Sequence, residues 1–82
     1  MAIARYTVLQ FGREQAKSYG AGLLETLDAL AEYPLMGSDQ GHIRPALRRH
    51  VYKSHTIYYR PERNGVVVQR ILGPGQDPLR EL

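Results

Sequence analysis

The stretch from residue 52 to residue 72, YKSHTIYYRPERNGVVVQRIL, narrows the folds open to this chain more than any other. Two runs within it, HTIYYR and VVVQRIL, are rich in the β-branched and aromatic residues that suit a pleated sheet. Between them lies PERNG, where Pro61 has no amide to give to a ladder and Asn64-Gly65 favours a tight reversal. The pattern predicts a β-hairpin with a longish loop. Its polar load of His55, Tyr52, Tyr58, Tyr59, Arg60 and Arg70 is heavy for a strand pair that only fills a core.

The segment before the hairpin has a different period. Ala16, Tyr19, Leu23, Leu27, Leu30 and Ala31 recur at three- and four-residue steps, with Glu14, Lys17, Glu25, Asp28 and Glu32 on the other side. That is one apolar stripe on a helix of some twenty residues, starting near Arg13 after a break at Gly12. Pro34 ends it by restricting Tyr33 and removing a donor. Gly20 and Gly22 either admit close packing on the sheet or weaken the middle of the helix. Residues 1–11 are ambiguous: Arg5 to Leu9 suits a short strand, while Ile3, Tyr6, Leu9 and Gln10 suit a helix. Residues 35–46 read as a loop punctuated by Gly37, Ser38, Asp39, Gly41 and Pro45. Residues 47–52 read as a strand, with Leu47, Arg49 and Val51 alternating against Arg48, His50 and Tyr52, and Lys53-Ser54 as the turn into the hairpin. After Leu72, Gly73, Pro74, Gly75 and Pro78 make a bent, exposed tail. The expected class is α+β: a long N-terminal helix, or helical hairpin, on a small antiparallel sheet of three to four strands, all in one domain over residues 1–82.

A chain of 82 residues buries one modest core and is marginal alone, so a stabilising partner fits its size. It has no cysteine, which excludes a disulfide framework and thiolate metal sites. No signal-peptide pattern and no apolar span of about 20 residues is present, so the expected setting is the cytoplasm, away from the membrane. Charge is unevenly distributed. Residues 1–41 carry three basic against five acidic side chains, whereas residues 42–82 carry eight against three. The basic half contains the hairpin, which suits either an acidic partner, protein or nucleic acid, or an ordinary solvated surface.

The histidines His42, His50 and His55 share no ligand spacing, and no metal site or cofactor is expected. RNA cleavage is conceivable from His55, Tyr58, Tyr59, Arg60 and Arg70, with arginine on the phosphate and histidine or tyrosine moving the proton. Strand alternation opposes it, because His55, Ile57 and Tyr59 point one way while Thr56, Tyr58 and Arg60 point the other. His55, Tyr58 and Arg70 therefore stand only as weak catalytic candidates. Arg70, mid-strand, must find a structural ion pair or line a groove.

The order of a long helix, Tyr-Pro, Met-Gly, Ile43-Arg44-Pro45, a short strand, His55 to Arg60 and then Arg70-Ile71-Leu72 resembles the ParE/RelE superfamily of bacterial toxin–antitoxin toxins, the ParE branch above all. The resemblance covers about residues 5–80. It places Arg5 to Tyr19 at the end of a first helix and the start of a second, so a strand and much of a helix that usually precede them would be missing. The family's last strand usually runs into a His-x-Arg-x-Asp phrase, and here only Asp77 matches it. Thr56 stands near the arginine position of the RNA-cleaving branch, and Gly73-Pro74-Gly75-Gln76 stands where its terminal acid or base would be.

Resemblance to ParE implies a protein that poisons DNA gyrase without catalysis and is neutralised by a ParD-like antitoxin. The residues expected to meet target or partner are Arg48, Arg49, Arg60, Arg70, Gln76, Asp77 and Arg80. Two alternatives stay open. One is a RelE-like ribosome-dependent endoribonuclease; the other is a degenerate member that binds an antitoxin and poisons nothing.

Overall fold

A computed structural model of the chain describes residues 6–8 and 13–82, with side chains 13–21 not described. The elements run β1 (Tyr6–Val8), α1 (Arg13–Glu32), a one-turn 3-10 helix (Pro34–Met36), β2 (Ser38–Asp39), β3 (Arg48–Tyr52), β4 (His55–Glu62), β5 (Gly65–Leu72) and α2 (Pro78–Glu81). They form one five-stranded sheet in the order β1-β5-β4-β3-β2.

The α+β class holds, but three expectations are corrected. The sheet has five strands rather than three or four. It is mixed rather than antiparallel, because β1 runs parallel to β5, with Tyr6, Thr7 and Val8 opposite Val66, Val67 and Val68. A strand also precedes the long helix. The resemblance read residues 5–19 as helix ends, yet Tyr6–Val8 is strand. The physical reason is the long-range partner: the valine run of β5 offers three consecutive β-branched neighbours. The expectations for Ile3, Leu9, Gln10 and Gly12 fall outside the described residues.

The helical stripe packs where its period places it. Leu23, Leu27, Leu30 and Ala31 of α1 are buried against Ile57 and Tyr59 of β4 and Val66, Val68 and Ile71 of β5, flanked by Tyr6, Val8 and Tyr52. Glu25, Asp28 and Glu32 face outward. Gly22 resolves one open question, since the hydroxyl end of Tyr52 lies where its side chain would project. The glycine lets the helix sit close on β3.

The hairpin is tighter than PERNG predicts. Pro61 and Glu62 belong to β4, leaving a two-residue turn at Arg63-Asn64. Pro61 is tolerated because β3 reaches only to Tyr59, so the proline lies beyond its neighbour's last ladder position. The expected loop at 35–46 holds the 3-10 turn and the two-residue strand β2, which pairs Ser38 and Asp39 with Arg49 and Arg48.

A bulge decides what β5 presents. Tyr58 lies opposite Arg70 but Tyr59 lies opposite Val68, leaving Gln69 unopposed. Were Gln69 regularly paired, alternation from Val66 and Val68 would aim Arg70 into the helix-packed core. With the bulge, Ile71 enters the core and Arg70 turns to the opposite face.

Candidate partner-binding face

The sheet face away from α1 is built from alternate residues of three strands. Arg49 of β3, Tyr58 of β4 and Arg70 of β5 form one cross-strand row, and Arg60 lies two residues along β4 from Tyr58. Beneath them a small cluster of Leu47, Tyr58 and Leu72, flanked by Ile43 and Leu82, closes the face at one side. The sequence-predicted residues thus separate. Arg49, Arg60 and Arg70 share this face, whereas Arg48 and His55 point to the helix side. Parity splits the catalytic candidates as expected: Tyr58 and Arg70 are cross-strand neighbours, and His55 lies on the other surface.

Each candidate has local chemistry of its own. Arg70 donates from Nη1 to the Glu81 carbonyl at 3.0 Å and lies 3.6 Å from its carboxylate through Nη2. The two side chains are 27% and 29% exposed, so the pair is partly shielded from solvent. Glu81 was not singled out from sequence; the signal was only that a mid-strand arginine needs a partner. The tail is bent and largely exposed, as expected, and this pair ties its end back to β5. Gln76 accepts the Gly73 amide at 2.7 Å and closes the turn that leads off β5. Asp77 caps α2 by accepting the Leu79 amide at 2.9 Å. Gln76, Asp77 and Arg80 do come together, with Gly75 and Glu81, around an open cavity of about 420 Å³. Arg60 pairs with Glu62 at 3.1 Å on the exposed rim, while Arg49 and Arg80 are exposed.

Arg48 has a structural task. Its Nε donates to the Gly37 carbonyl at 2.9 Å and its Nη2 to the Leu35 carbonyl at 3.2 Å. Beside it the fully buried Tyr59 donates its hydroxyl to the Pro34 carbonyl at 2.6 Å and accepts the Gly37 amide at 2.9 Å. Burial pushes the Tyr59 hydroxyl above its ordinary value near 10, and the Gly37 amide and the Arg48 charge oppose that shift. Together the two side chains clamp the turn after α1. The turn then presents Tyr33, Leu35 and Met36 outward, at 63%, 71% and 46% exposure. Sequence reading took these residues as helix end and loop and missed the patch, because apolar residues flanking a proline carry no period.

Among the described residues no cluster of three histidine, aspartate or glutamate side chains could hold a metal ion, and no helix is long and apolar enough to cross a membrane.

These features define a class: a small α+β protein in which one long helix backs a mixed sheet and Arg49, Arg60 and Arg70 lie on the face away from the helix. Comparison with known proteins gives the family. The family described as "ParE toxin of type II toxin-antitoxin system, parDE" matches residues 1–78. Toxin ParE1 of Caulobacter vibrioides is 36% identical over 55 residues, which is 67% of this chain and 57% of that relative. Toxin ParE1 of Mycobacterium tuberculosis is 34% identical over 74 residues, 89% of this chain and 76% of the relative. The match thus spans little more than half the length of the Caulobacter protein. The chain belongs to the ParE toxin family of type II toxin–antitoxin systems.

Proposed function

We propose that the chain is a toxin that acts by binding DNA gyrase in the cytoplasm, and that a ParD-like antitoxin holds it inactive. The family supports the toxin reading. The observation that carries binding over catalysis is the placement of the candidate acid–base groups. Tyr58 is buried, its neighbour Arg70 is engaged by Glu81, and His55 lies on the other side of the sheet. A general acid and base must reach the same scissile phosphate, and His55 and Tyr58 lie on opposite faces of the sheet. An arginine-bearing open face instead suits an acidic macromolecular surface.

Induced expression tests this reading. Growth arrest with messenger RNA left intact on ribosomes, relieved by co-expression of the antitoxin encoded beside the chain, is the expected result. Codon-dependent cleavage abolished by Arg70→Ala would replace it with a RelE-like nuclease. Harmless expression would leave a family member without toxicity.

A further inference from the structure

We infer that the turn after α1, carrying Tyr33, Leu35 and Met36 with the Arg48 guanidinium beside it, is a docking surface for an amphipathic segment of the antitoxin in which large apolar residues flank an acidic one. The inference rests on the antitoxin partnership proposed above and assigns it a place on this chain.

Three observations carry it. The turn is apolar and open. Tyr33, Leu35 and Met36 fall within four residues and are all exposed, whereas apolar residues on a soluble surface are ordinarily scattered singly. It is also rigid. Four side-chain-to-backbone hydrogen bonds, from Arg48 to Gly37 and Leu35 and between Tyr59 and Pro34 and Gly37, fix a turn of four residues. A preformed surface loses little conformational freedom when it is covered, which favours binding. Finally, the charge at its edge selects the partner. Arg48 spends two donors on carbonyls and, although Asp39 lies opposite it on β2, makes no ion pair within 4 Å among the described residues, so part of its positive charge is left for a partner's acid. A guanidinium beside exposed leucine, methionine and tyrosine fits an acidic, apolar peptide segment and disfavours a basic one.

The test measures affinity of the full chain for the purified antitoxin encoded beside it by calorimetry. Arg48 itself is left alone because it supports the turn, and the substitutions go to exposed Leu35 instead. Leu35→Asp weakens binding at least 30-fold, and Leu35→Lys weakens it at least threefold less than Leu35→Asp does, since only aspartate repels an acidic segment. Leu24→Asp, at an exposed leucine on α1, leaves affinity within twofold. Thermal unfolding of the free variants stays close to that of the parent chain, which separates docking from folding. Tight binding by the parent chain with unchanged affinity for Leu35→Asp overturns this inference and leaves the antitoxin reading standing. An equal loss for Leu24→Asp, or a larger loss for Leu35→Lys than for Leu35→Asp, also overturns it. Absence of binding by the parent chain overturns both.

Discussion

Replacing Tyr59 by phenylalanine removes one oxygen atom and two hydrogen bonds, and the structure allows the effect to be worked out. The hydroxyl donates to the Pro34 carbonyl and accepts the Gly37 amide. The half-buried Pro34 carbonyl can turn to water, whereas Gly37 is buried and its amide is left without a partner. Two net hydrogen bonds of about 1 kcal/mol each, plus part of the 1–3 kcal/mol penalty for an unsatisfied buried donor, give a loss of about 2–3 kcal/mol. For a domain of this size that lowers the melting temperature by roughly 10–20 °C. Urea unfolding of Tyr59→Phe beside Tyr33→Phe reads it directly. The exposed Tyr33 hydroxyl should matter by no more than about 0.5 kcal/mol. The same hydroxyl sets a pH dependence. Its pKa is raised on folding, so its contribution is complete below about 10, where both states keep the proton. Above that the unfolded chain ionises first, and stability falls as pH rises toward the folded value. Tyr59→Phe should flatten that alkaline fall. A loss below about 0.5 kcal/mol, with the alkaline slope unchanged, would refute the clamp as an energetic feature.

Other perturbations probe the remaining links. Gly37→Ala places a Cβ 2.6 Å from the Arg49 carbonyl oxygen, a backbone atom that cannot swing away, so it should destabilise by about 1–3 kcal/mol in the same denaturation assay. Deleting Gln69 removes the bulge while Val68 and Arg70 become neighbours opposite Tyr59 and Tyr58, so Val68 and Ile71 stay toward α1 and Arg70 stays on the opposite face. The variant should keep cooperative unfolding, and loss of cooperativity would show that Gln69 does more than shift the register. Glu81→Gln should raise hydrogen exchange at the Glu81 and Leu82 amides of α2 while global stability moves by less than about 1 kcal/mol, because the Arg70–Glu81 pair is partly solvated and its carbonyl bond remains.

What was legible in the sequence is what local pattern determines. The stripe Leu23, Leu27, Leu30 and Ala31 has a helical period and no competing reading, and it is the buried face of α1. The alternation on either side of Lys53-Ser54 predicts both β3 and the facing of β4, including the separation of His55 from Tyr58. The rest depends on distant partners. Tyr6–Val8 falls within the short strand that Arg5 to Leu9 suits, but so few residues hold too little period to decide between strand and helix, and β5 decides it. The run VVVQRIL is apolar on both faces, so nothing in it marks Gln69 as the extra residue. The tail reads as punctuation because Pro74 and Gly75 form a turn before α2 begins at Pro78. Its return to Arg70 depends on Glu81, eleven residues away across a bend. The candidate site was legible as a set of arginines, but their assignment to faces and tasks was not. Arg48 and Arg49 are adjacent in sequence, yet one clamps a turn and the other lies open on the basic face.

The central claim is that this ParE-family chain inhibits gyrase by binding alone. Supercoiling of relaxed plasmid by purified gyrase, titrated with purified protein, tests it most directly. Inhibition at micromolar protein, reversed by stoichiometric antitoxin, is the predicted result. Full supercoiling at saturating protein would contradict it.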